Sequence, residues 1–454
     1  MHALKLKWPV LLFVIGLTLQ AHVLSDRASA QSARPGVEGR VEGRAGTVAQ
    51  AGFDADRLDR LHAAMKGFVD RKEAGGIVTL IAREGKTVDV YATGFQDVEK
   101  NVPMKADSIF RIASMTKPVT SVAIMMLFEE GKLFLTDPVS KFIPAFKSTM
   151  VMEGGGAEAK AVPARRAITI RDLLAHKGGI TYGFLAAGAV GASYRKDGVT
   201  DGLTTTTMTL EENINKLAAQ PLASHPGERF NYSLSTDVLS RVVEVVSGQP
   251  FNVFVRERIL EPLKMKDTGF IVPEAKWSRF VTVYSPDGKG GIRPMTDPES
   301  FGNTLMSPWA LYKEGRTYFS GGAGLASTAA DYARFANMLL NGGALDGARL
   351  LGPTTIELMT RSHTSELAPP LQLLGLGANF GLGFRVVTDL AQTQTLGSDG
   401  MYGWSGIYGT NFWVDPKEKL VAVMMVQKYP GPAVAATFQP LVYQAIVSEV
   451  GARP

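Results

Sequence analysis

The sequence predicts an α/β plus all-α fold, in which an antiparallel sheet flanked by helices receives an inserted helical lobe. Near the start, the β-branched runs 77–82 and 88–92 flank a four-residue turn and predict an antiparallel hairpin. Near the end, 407–414 and 420–426 repeat that pattern, and 434–447 has the apolar spacing of a closing helix. Because similar hairpins stand at both ends, we expect one sheet whose first and last strands are far apart in sequence.

The section between the two hairpins is predicted to be mainly helical. Apolar residues recur three and four positions apart, the spacing of one helix face, at 168–174, 210–217, 236–246, 253–259 and 329–340. Another such segment, 55–69, precedes the first hairpin. Glycine-rich connections, which we expect to be long loops, occur at 152–162, 183–204 and 285–293. We therefore expect an α/β lobe formed by 46–137 and 379–454, with 138–378 inserted as a mainly helical lobe.

The composition is that of a globular protein and excludes several classes of function. Of the 454 residues, 45% are apolar, 20% are charged and none is cysteine. Without cysteine the chain can form no disulfide, no thiolate nucleophile and no zinc–thiolate site. The formal net charge is only +5, and the basic residues are scattered without an accompanying aromatic stripe. We therefore expect no nucleic-acid partner.

Residues 1–30 have the pattern of a secretory signal peptide. Two lysines give a positive start, 8–25 is uncharged, and Ala28 and Ala30 place small residues at minus three and minus one from a cleavage site. We expect cleavage after Ala30, a flexible tether over 31–45, and a periplasmic or secreted protein with no stable membrane anchor. The alternative is a retained anchor, for which the apolar run is short.

The motifs of the common metal and cofactor enzymes are missing. The six histidines form no H-E-x-x-H pair, and the chain has no G-x-S-x-G elbow, no phosphate-binding G-x-x-x-x-G-K-[ST] loop and no strand-coupled dinucleotide fingerprint. We therefore expect neither a metal nor an organic cofactor. A serine with a lysine three residues later occurs twice, as Ser193 with Lys196 and as Ser114 with Lys117. The first pair lies in a glycine-rich stretch and is predicted to be a solvated loop.

Ser114 and Lys117 come directly before the apolar stretch 119–128, which predicts a helix. Helix positions three apart share a face, so Lys117 can reach the Ser114 hydroxyl. The free N–H groups at a helix start favour an alkoxide or an oxyanion. If Lys117 is buried, it can accept the serine proton and make Ser114 a nucleophile. In the alternative interpretation, Ser114 only caps the helix and Lys117 is solvated.

Several segments, in order, resemble the serine β-lactamase and penicillin-binding superfamily, especially its class C and family VIII carboxylesterase branch. These segments are 109–117, 173–179, 230–233, 321–328 and 403–406. The resemblance runs from about Ala55 to the C-terminus. It implies a β-lactamase/transpeptidase-like fold, with Ser114 as the nucleophile and Lys117 as its partner.

The resemblance also assigns a tyrosine. Tyr232 stands where the family has the tyrosine of a Y-x-N motif, which implies that it acts with Lys117 as general base or proton shuttle. The asparagine of that motif is replaced by Leu234, which puts efficient β-lactam hydrolysis in doubt. The alternative for Tyr232 is a half-buried structural tyrosine. His176, in the segment 173–179, is expected to be structural. The glycine-rich segment Gly321 to Gly324 is expected to supply flexible backbone.

At the position of the family's K-T-G triplet, this chain has Trp404, Ser405 and Gly406. Replacing the lysine by an indole removes a partner for a substrate carboxylate and offers a flat apolar surface. By analogy, the backbone N–H groups of Ile407 and Ser114 form the oxyanion hole. The alternative for Trp404 is a core aromatic residue. Other aromatic residues that could shape a substrate pocket are Trp309, Tyr312 and Tyr318.

The resemblance therefore implies an exported serine hydrolase that cleaves short-chain carboxylic esters, with a weak β-lactamase side activity left open. A class C β-lactamase or a D-amino-acid-specific peptidase would use the same residues on different substrates. A non-catalytic penicillin-binding-like scaffold is a further alternative. The substrate is expected to be a small ester or a β-lactam-like molecule, and the sequence does not predict an oligomeric state.

Overall fold

The computed structural model describes residues 45–154, 158–186, 188–369, 371 and 373–451. The predicted signal peptide and all but the last residue of the predicted tether lie outside the described residues. Within the described part of the chain, no helix combines the length and apolar character needed to cross a membrane.

The strands are numbered here in chain order. They are β1 (Gly76–Arg83), β2 (Lys86–Asp97), β3 (Val102–Pro103), β4 (Phe110–Arg111), β5 (Met150–Glu153), β6 (Lys160–Pro163), β7 (Tyr284–Pro286), β8 (Ile292–Pro294), β9 (Glu299–Phe301), β10 (Thr304–Met306), β11 (Ala326–Ser327), β12 (Ala344–Leu345), β13 (Ala348–Arg349), β14 (Ala378–Phe380), β15 (Arg385–Val387), β16 (Tyr402–Ser405), β17 (Asn411–Asp415) and β18 (Leu420–Val426).

The α-helices are numbered in the same way. They are α1 (Ala45–Gln50), α2 (Ala55–Asp70), α3 (Thr116–Glu129), α4 (Ile170–Leu174), α5 (Gly188–Lys196), α6 (Leu210–Ala218), α7 (Ser235–Ser247), α8 (Phe251–Val255), α9 (Ala329–Leu340), α10 (Pro353–Thr360), α11 (Leu390–Thr393) and α12 (Val434–Gln444). A π-helical turn, Arg256–Leu260, continues α8, and 3-10 turns include Ala113–Met115 and Ala310–Tyr312.

The main sheet has eight strands in the order β14-β15-β16-β17-β18-β1-β2-β3. Its neighbouring strands are antiparallel, and β1 pairs with β18 from Ile77 opposite Val426 to Arg83 opposite Leu420. The prediction that both ends of the chain share one antiparallel sheet is therefore confirmed. The lobe boundaries, 46–137 with 379–454 and 138–378, stay predictions.

Both faces of the central strands are covered by helices, which explains their continuous apolar sequence. On β1, Val78 and Leu80 belong to the apolar core that includes α3 and α9. The alternate residues Ile77 and Ile81 belong to a second core with α2 and α12. Because successive strand residues point to opposite faces, every residue of such a strand is enclosed, and β1 is buried along its whole length.

The structure corrects the sequence prediction at several elements. The strand expected at 407–414 begins only at Asn411, because Gly406 and Gly409 form a tight turn that ends β16 and leads into β17. Gly409 has a φ of 91°, a backbone conformation that glycine adopts without strain. Two of the expected loops, 152–162 and 285–293, are in large part the hairpins β5–β6 and β7–β8. The third, 183–204, contains α5.

Helix α3 lies at the centre of the larger core and is buried on all sides. From Thr116 to Leu127 every residue is buried, including Lys117 with 1% exposure. It packs most closely against α7 and also against α8. A helix that is apolar all round needs such enclosure. Since Ser114 is only two residues before α3, this packing holds the predicted nucleophile segment in place.

Candidate active site

Ser114 lies in the 3-10 turn Ala113–Met115, directly before α3, and not in the first turn of the helix as the spacing suggested. Ala113 has a φ of 41°, in the left-handed region that residues with a side chain rarely adopt. Such strained residues cluster at functional sites. The turn leaves Ser114 half-buried, whereas Ala113 and Met115 on either side are fully buried. The serine is thus the accessible residue of an otherwise buried turn.

Lys117 is held by three hydrogen bonds inside the protein. Its Nζ donates to Ser114 Oγ at 3.3 Å, to the Tyr182 hydroxyl at 2.8 Å and to the Gly322 carbonyl at 2.8 Å. An ammonium group has three N–H donors, so these contacts use all of them. Neither the 3-10 turn nor α3 has a side-chain cap. The alternative of a capping serine beside a solvated lysine is therefore wrong.

Tyr182 is a site residue that the sequence analysis missed. It is buried and stacks on Phe184 with ring centroids 4.9 Å apart. Burial is the main reason why its pKa is raised well above 10, and Tyr232 and Asp237 nearby add to the effect. The sequence signal for Tyr182 was its position, because it follows the segment 173–179, which contains His176 and ends at Gly179, by three residues. Gly179 has a φ of 78°, and a Cβ there would lie 2.1 Å from the Ser224 carbonyl.

Tyr232 approaches Lys117 with its ring. The Lys117 Nζ lies 4.5 Å from the ring centroid, a cation–π contact. The Tyr232 hydroxyl accepts a hydrogen bond of 3.3 Å from the indole N–H of Trp404. The structure thus brings Tyr232 to the predicted site, while the Tyr182 hydroxyl takes the direct bond to Lys117. The role of Tyr232 as base or shuttle stays a prediction.

Trp404 forms an aromatic wall of the site. It lies on β16, is 8% exposed, and packs at 5.4 Å between centroids against Tyr232 and at 5.1 Å against Phe380. Strand β16 lies inside the sheet, between β15 and β17, and Trp404 and Ser405 extend beyond its pairing with β15. Ser405 is exposed. Trp404 is both a core residue and a surface of the site.

The turn that follows β16 lies against the nucleophile segment. A Cβ at Gly406 would be 2.3 Å from the Ile112 carbonyl, so only glycine allows this approach. Thr410 donates to the same carbonyl at 3.4 Å. Ile407 packs in one apolar cluster with Ala113. The turn and the serine are therefore neighbours, and the oxyanion hole formed by the Ile407 and Ser114 N–H groups stays a prediction.

Gly321 and Gly322 act by close packing and not by flexibility, in contrast to the sequence prediction. A Cβ at Gly321 would lie 1.8 Å from Ser240 Oγ, and one at Gly322 would lie 2.4 Å from Asp237 Oδ2. Neither glycine has a positive φ. The two residues let the backbone approach α3 and α7, where the Gly321 and Gly322 carbonyls accept from Thr120 and Lys117 at 2.8 Å each.

His176 is buried and packs at 5.0 Å from the Tyr232 ring. One ring nitrogen contacts Ser233 Oγ at 3.0 Å. Burial, with a smaller contribution from the Lys117 charge, lowers its pKa well below 6.5, so the imidazole is neutral at physiological pH. This environment agrees with a structural role for His176.

The aromatic residues proposed for a substrate pocket have other contacts. Trp309 and Tyr312 surround the buried guanidinium of Arg111, whose Cζ lies 4.6 and 5.7 Å from their ring centroids. Tyr318 donates to Asp237 at 2.9 Å. All three residues thus have partners within the protein, and their part in a substrate pocket stays a prediction. Among the described residues, no group of three or more His, Cys, Asp or Glu side chains is placed to hold a metal ion.

Asp201 fixes the chain directly after Tyr182. Its Oδ1 accepts from the Gly183 N–H at 2.8 Å. Burial raises the pKa of Asp201 to about 6. In the unfolded chain an aspartate titrates near 3.9, so the folded protein binds the extra proton between about pH 4 and 6. The contribution of the protonated Asp201 carboxyl to the free energy of unfolding is fully present below that pH window and is lost as the pH rises through 6.

Asp201→Asn should therefore gain stability relative to the wild type as the pH is raised. The pKa shift of Asp201 corresponds to about 3 kcal/mol in the free energy of unfolding, or about 3 °C in Tm for a protein of this size. The measurement is thermal unfolding of both proteins from pH 4 to 7.5. A Tm difference that does not change with pH would contradict the assignment.

Comparison with known proteins identifies the family. Residues 61–443 match the sequence profile of the Beta-lactamase family. The chain belongs to the Beta-lactamase family. It is an enzyme, a serine hydrolase of this superfamily, and lies close to the family VIII esterases. The β-lactamase/transpeptidase-like fold that the resemblance implied is confirmed.

Three members of the superfamily illustrate the similarity. Protein Rv1367c of Mycobacterium tuberculosis (strain ATCC 25618 / H37Rv) is 35% identical over 393 residues, 84% of this chain and 92% of that protein. Esterase EstB of Burkholderia gladioli is 33% identical over 364 residues, 78% of this chain and 86% of EstB. The solved structure of EstCE1, described as a hydrolase with promiscuous acyltransferase activity, superposes with a TM-score of 0.73 at 28% identity, covering 86% of this chain and 98% of EstCE1.

Proposed function

We propose that this Beta-lactamase family protein is an exported carboxylesterase that cleaves short-chain esters through an acyl-enzyme on Ser114. The observation that carries the proposal is Trp404, which puts an apolar indole against Tyr232 where β-lactamases have the lysine of K-T-G. β-Lactams and peptidoglycan stem peptides carry a carboxylate that such a lysine can pair with, whereas simple esters do not. The names of the relatives Esterase EstB and Lovastatin esterase agree with this choice.

In the proposed first half-reaction, Lys117 with Tyr232 removes the hydroxyl proton of Ser114. The serine oxygen attacks the ester carbonyl carbon, and the N–H groups of Ser114 and Ile407 hold the resulting oxyanion. The bond between that carbon and the alcohol oxygen then breaks. The alcohol leaves with the proton that the relay took from Ser114.

In the second half-reaction, water attacks the acyl-enzyme while the same relay takes its proton. The bond to the serine oxygen breaks, the carboxylic acid leaves, and Ser114 recovers its proton. The Lys117 Nζ is 3.3 Å from Ser114 Oγ, within direct reach of this proton. Tyr182, bonded to the same Nζ at 2.8 Å, would keep the amine oriented.

The two tyrosines can be separated by removing one hydroxyl at a time. Tyr232→Phe should lower kcat by about 10² to 10³-fold, because it removes the proposed shuttle and keeps the ring over Lys117. Tyr182→Phe should cost only about tenfold, since Lys117 keeps its bonds to Ser114 and Gly322. Steady-state kinetics on a p-nitrophenyl ester decide between them. A larger loss in Tyr182→Phe would transfer the shuttle role to Tyr182.

The ester assignment is tested by comparing substrate classes on the purified protein. Short-chain p-nitrophenyl esters should have a higher kcat/KM than nitrocefin and than D-Ala-D-Ala peptides. Trp404→Lys restores the family's cation at that position. It should raise kcat/KM for nitrocefin relative to kcat/KM for the p-nitrophenyl esters. Wild-type turnover of nitrocefin or of the peptides above that of every ester would overturn the proposal.

A further inference from the structure

The proposed relay does not use Asp237, an acidic residue buried beside it. Asp237 lies in the first turn of α7 and has no solvent exposure. Its Oδ1 accepts from the Tyr318 hydroxyl at 2.9 Å, and its Oδ2 makes no hydrogen bond within the described part of the chain. The pKa of Asp237 is raised on balance, because burial outweighs the lowering effects of the Ser320 hydroxyl and of the Lys117 charge. A buried carboxylate of this kind requires a compensating positive charge nearby.

Lys117 supplies that charge, and Gly322 lies between the Lys117 and Asp237 side chains. The Gly322 carbonyl accepts from Lys117 Nζ at 2.8 Å. The α-carbon of Gly322 lies against Asp237, since a Cβ there would be 2.4 Å from Asp237 Oδ2 and 3.0 Å from the Tyr182 hydroxyl. Both charged side chains are buried, with 0% and 1% exposure. Charges in such a poorly screened environment interact over longer distances than charges at the surface.

The other ionisable groups around the pair come from several elements. Around Lys117 they are Tyr182, Tyr232 and His176. Around Asp237 they are Tyr318, Arg316, Asp201 and Tyr182.

On α7 itself, Arg241 and Glu244 pair with each other at 3.0 Å. Arg316 donates to the carbonyls of Tyr318, Phe270 and Gly324, so its guanidinium is directed to backbone.

We propose that Asp237 is the buried counter-charge of Lys117 and thereby sets the pH at which Ser114 becomes nucleophilic. It acts as a positioning residue, through Lys117 and Gly322, and does not contact substrate. Attack by Ser114 needs an acceptor for its proton, and a negative charge near an amine disfavours the neutral form that can accept one. The inference rests on the proposed role of Lys117 in the relay.

The test is the pH profile of kcat/KM for a p-nitrophenyl ester in Asp237→Asn, which keeps the shape of the side chain and removes its charge. The acid limb should move to lower pH by about one unit, with KM changed less than about twofold. Tyr318→Phe, which removes the donor that stabilises the carboxylate, should move the limb in the same direction by a smaller amount. It also provides the test if Asp237→Asn does not fold.

The matched control is Asp331→Asn. Asp331 is likewise a buried aspartate in the first turn of a helix, α9, with a pKa raised by burial, but its Oδ2 accepts from Asp267 N–H and from Thr268. It should leave the acid limb unchanged. An unshifted limb in folded Asp237→Asn, or an equal shift in Asp331→Asn, would overturn the inference. Full activity in Lys117→Met would instead overturn the relay itself.

Discussion

Replacing Ser114 by alanine is expected to lower kcat for a p-nitrophenyl ester by about 10⁵-fold or more. The reason is that no acyl-enzyme can form without the serine oxygen, and loss of a serine nucleophile leaves only the contribution of binding and oxyanion stabilisation. Ser114 is half-buried in a turn whose neighbours are fully buried, and its side chain caps no helix. The substitution should therefore leave Tm within about 1 °C of the wild type. Steady-state kinetics and thermal unfolding measure the two effects.

The chain offers a matched control in its second S-x-x-K pair. Ser193 and Lys196 both lie on α5, where a solvated loop had been expected, and the Ser193 hydroxyl donates to Gln220. Ser193→Ala should keep full activity. If Ser114→Ala retained more than about 1% of kcat, or if Ser193→Ala lost as much, Ser114 would not be the nucleophile.

Replacing Lys117 by methionine is expected to lower kcat by about 10³-fold, within the range for loss of a general base. Methionine is unbranched, fills most of the space of the lysine chain and has no N–H donor. The Tyr182 hydroxyl and the Gly322 carbonyl each accept from Lys117 Nζ at 2.8 Å, and the substitution removes this donor. The loss should lower the free energy of unfolding by about 1–3 kcal/mol. Kinetics on protein shown to be folded by circular dichroism test the expectation.

Lys196→Met is the corresponding control, because it removes the lysine of the second pair and should not change kcat. In Lys117→Met, a higher KM with unchanged kcat would show that Lys117 binds substrate and takes no part in proton transfer. That result would contradict the proposed relay while leaving Ser114 as nucleophile.

Elements with strong local patterns could be predicted from the sequence. The helix expected at 329–340 is α9 with the same bounds, and the hairpin expected from 77–82 and 88–92 is β1–β2. In both cases the apolar periodicity and the local turn decide the structure. The pairing of β1 with β18 followed from the similar hairpins at the two ends. Short strands such as β16, with two glycine-containing turns nearby, have too few residues to show a period.

The candidate site was predictable where side chains are close in sequence or part of a recognised motif. Ser114 and Lys117 are three residues apart, so the 3-10 turn and the first turn of α3 together bring them within reach. Tyr182 is 65 residues from Lys117, and no local pattern distinguishes it from a core tyrosine. Likewise, the need for glycine at 321 and 322 depends on Ser240 and Asp237, which the fold places against them. Such contacts are set by tertiary packing.

The central claim, that Ser114 forms a covalent acyl-enzyme, is tested most directly by intact-mass analysis after treatment with a fluorophosphonate. This probe phosphonylates an activated serine, with loss of fluoride. The wild type should gain the mass of one adduct, the peptide carrying it should contain Ser114, and Ser114→Ala should gain none. No adduct on folded wild-type protein, or the same adduct on Ser114→Ala, would contradict the claim.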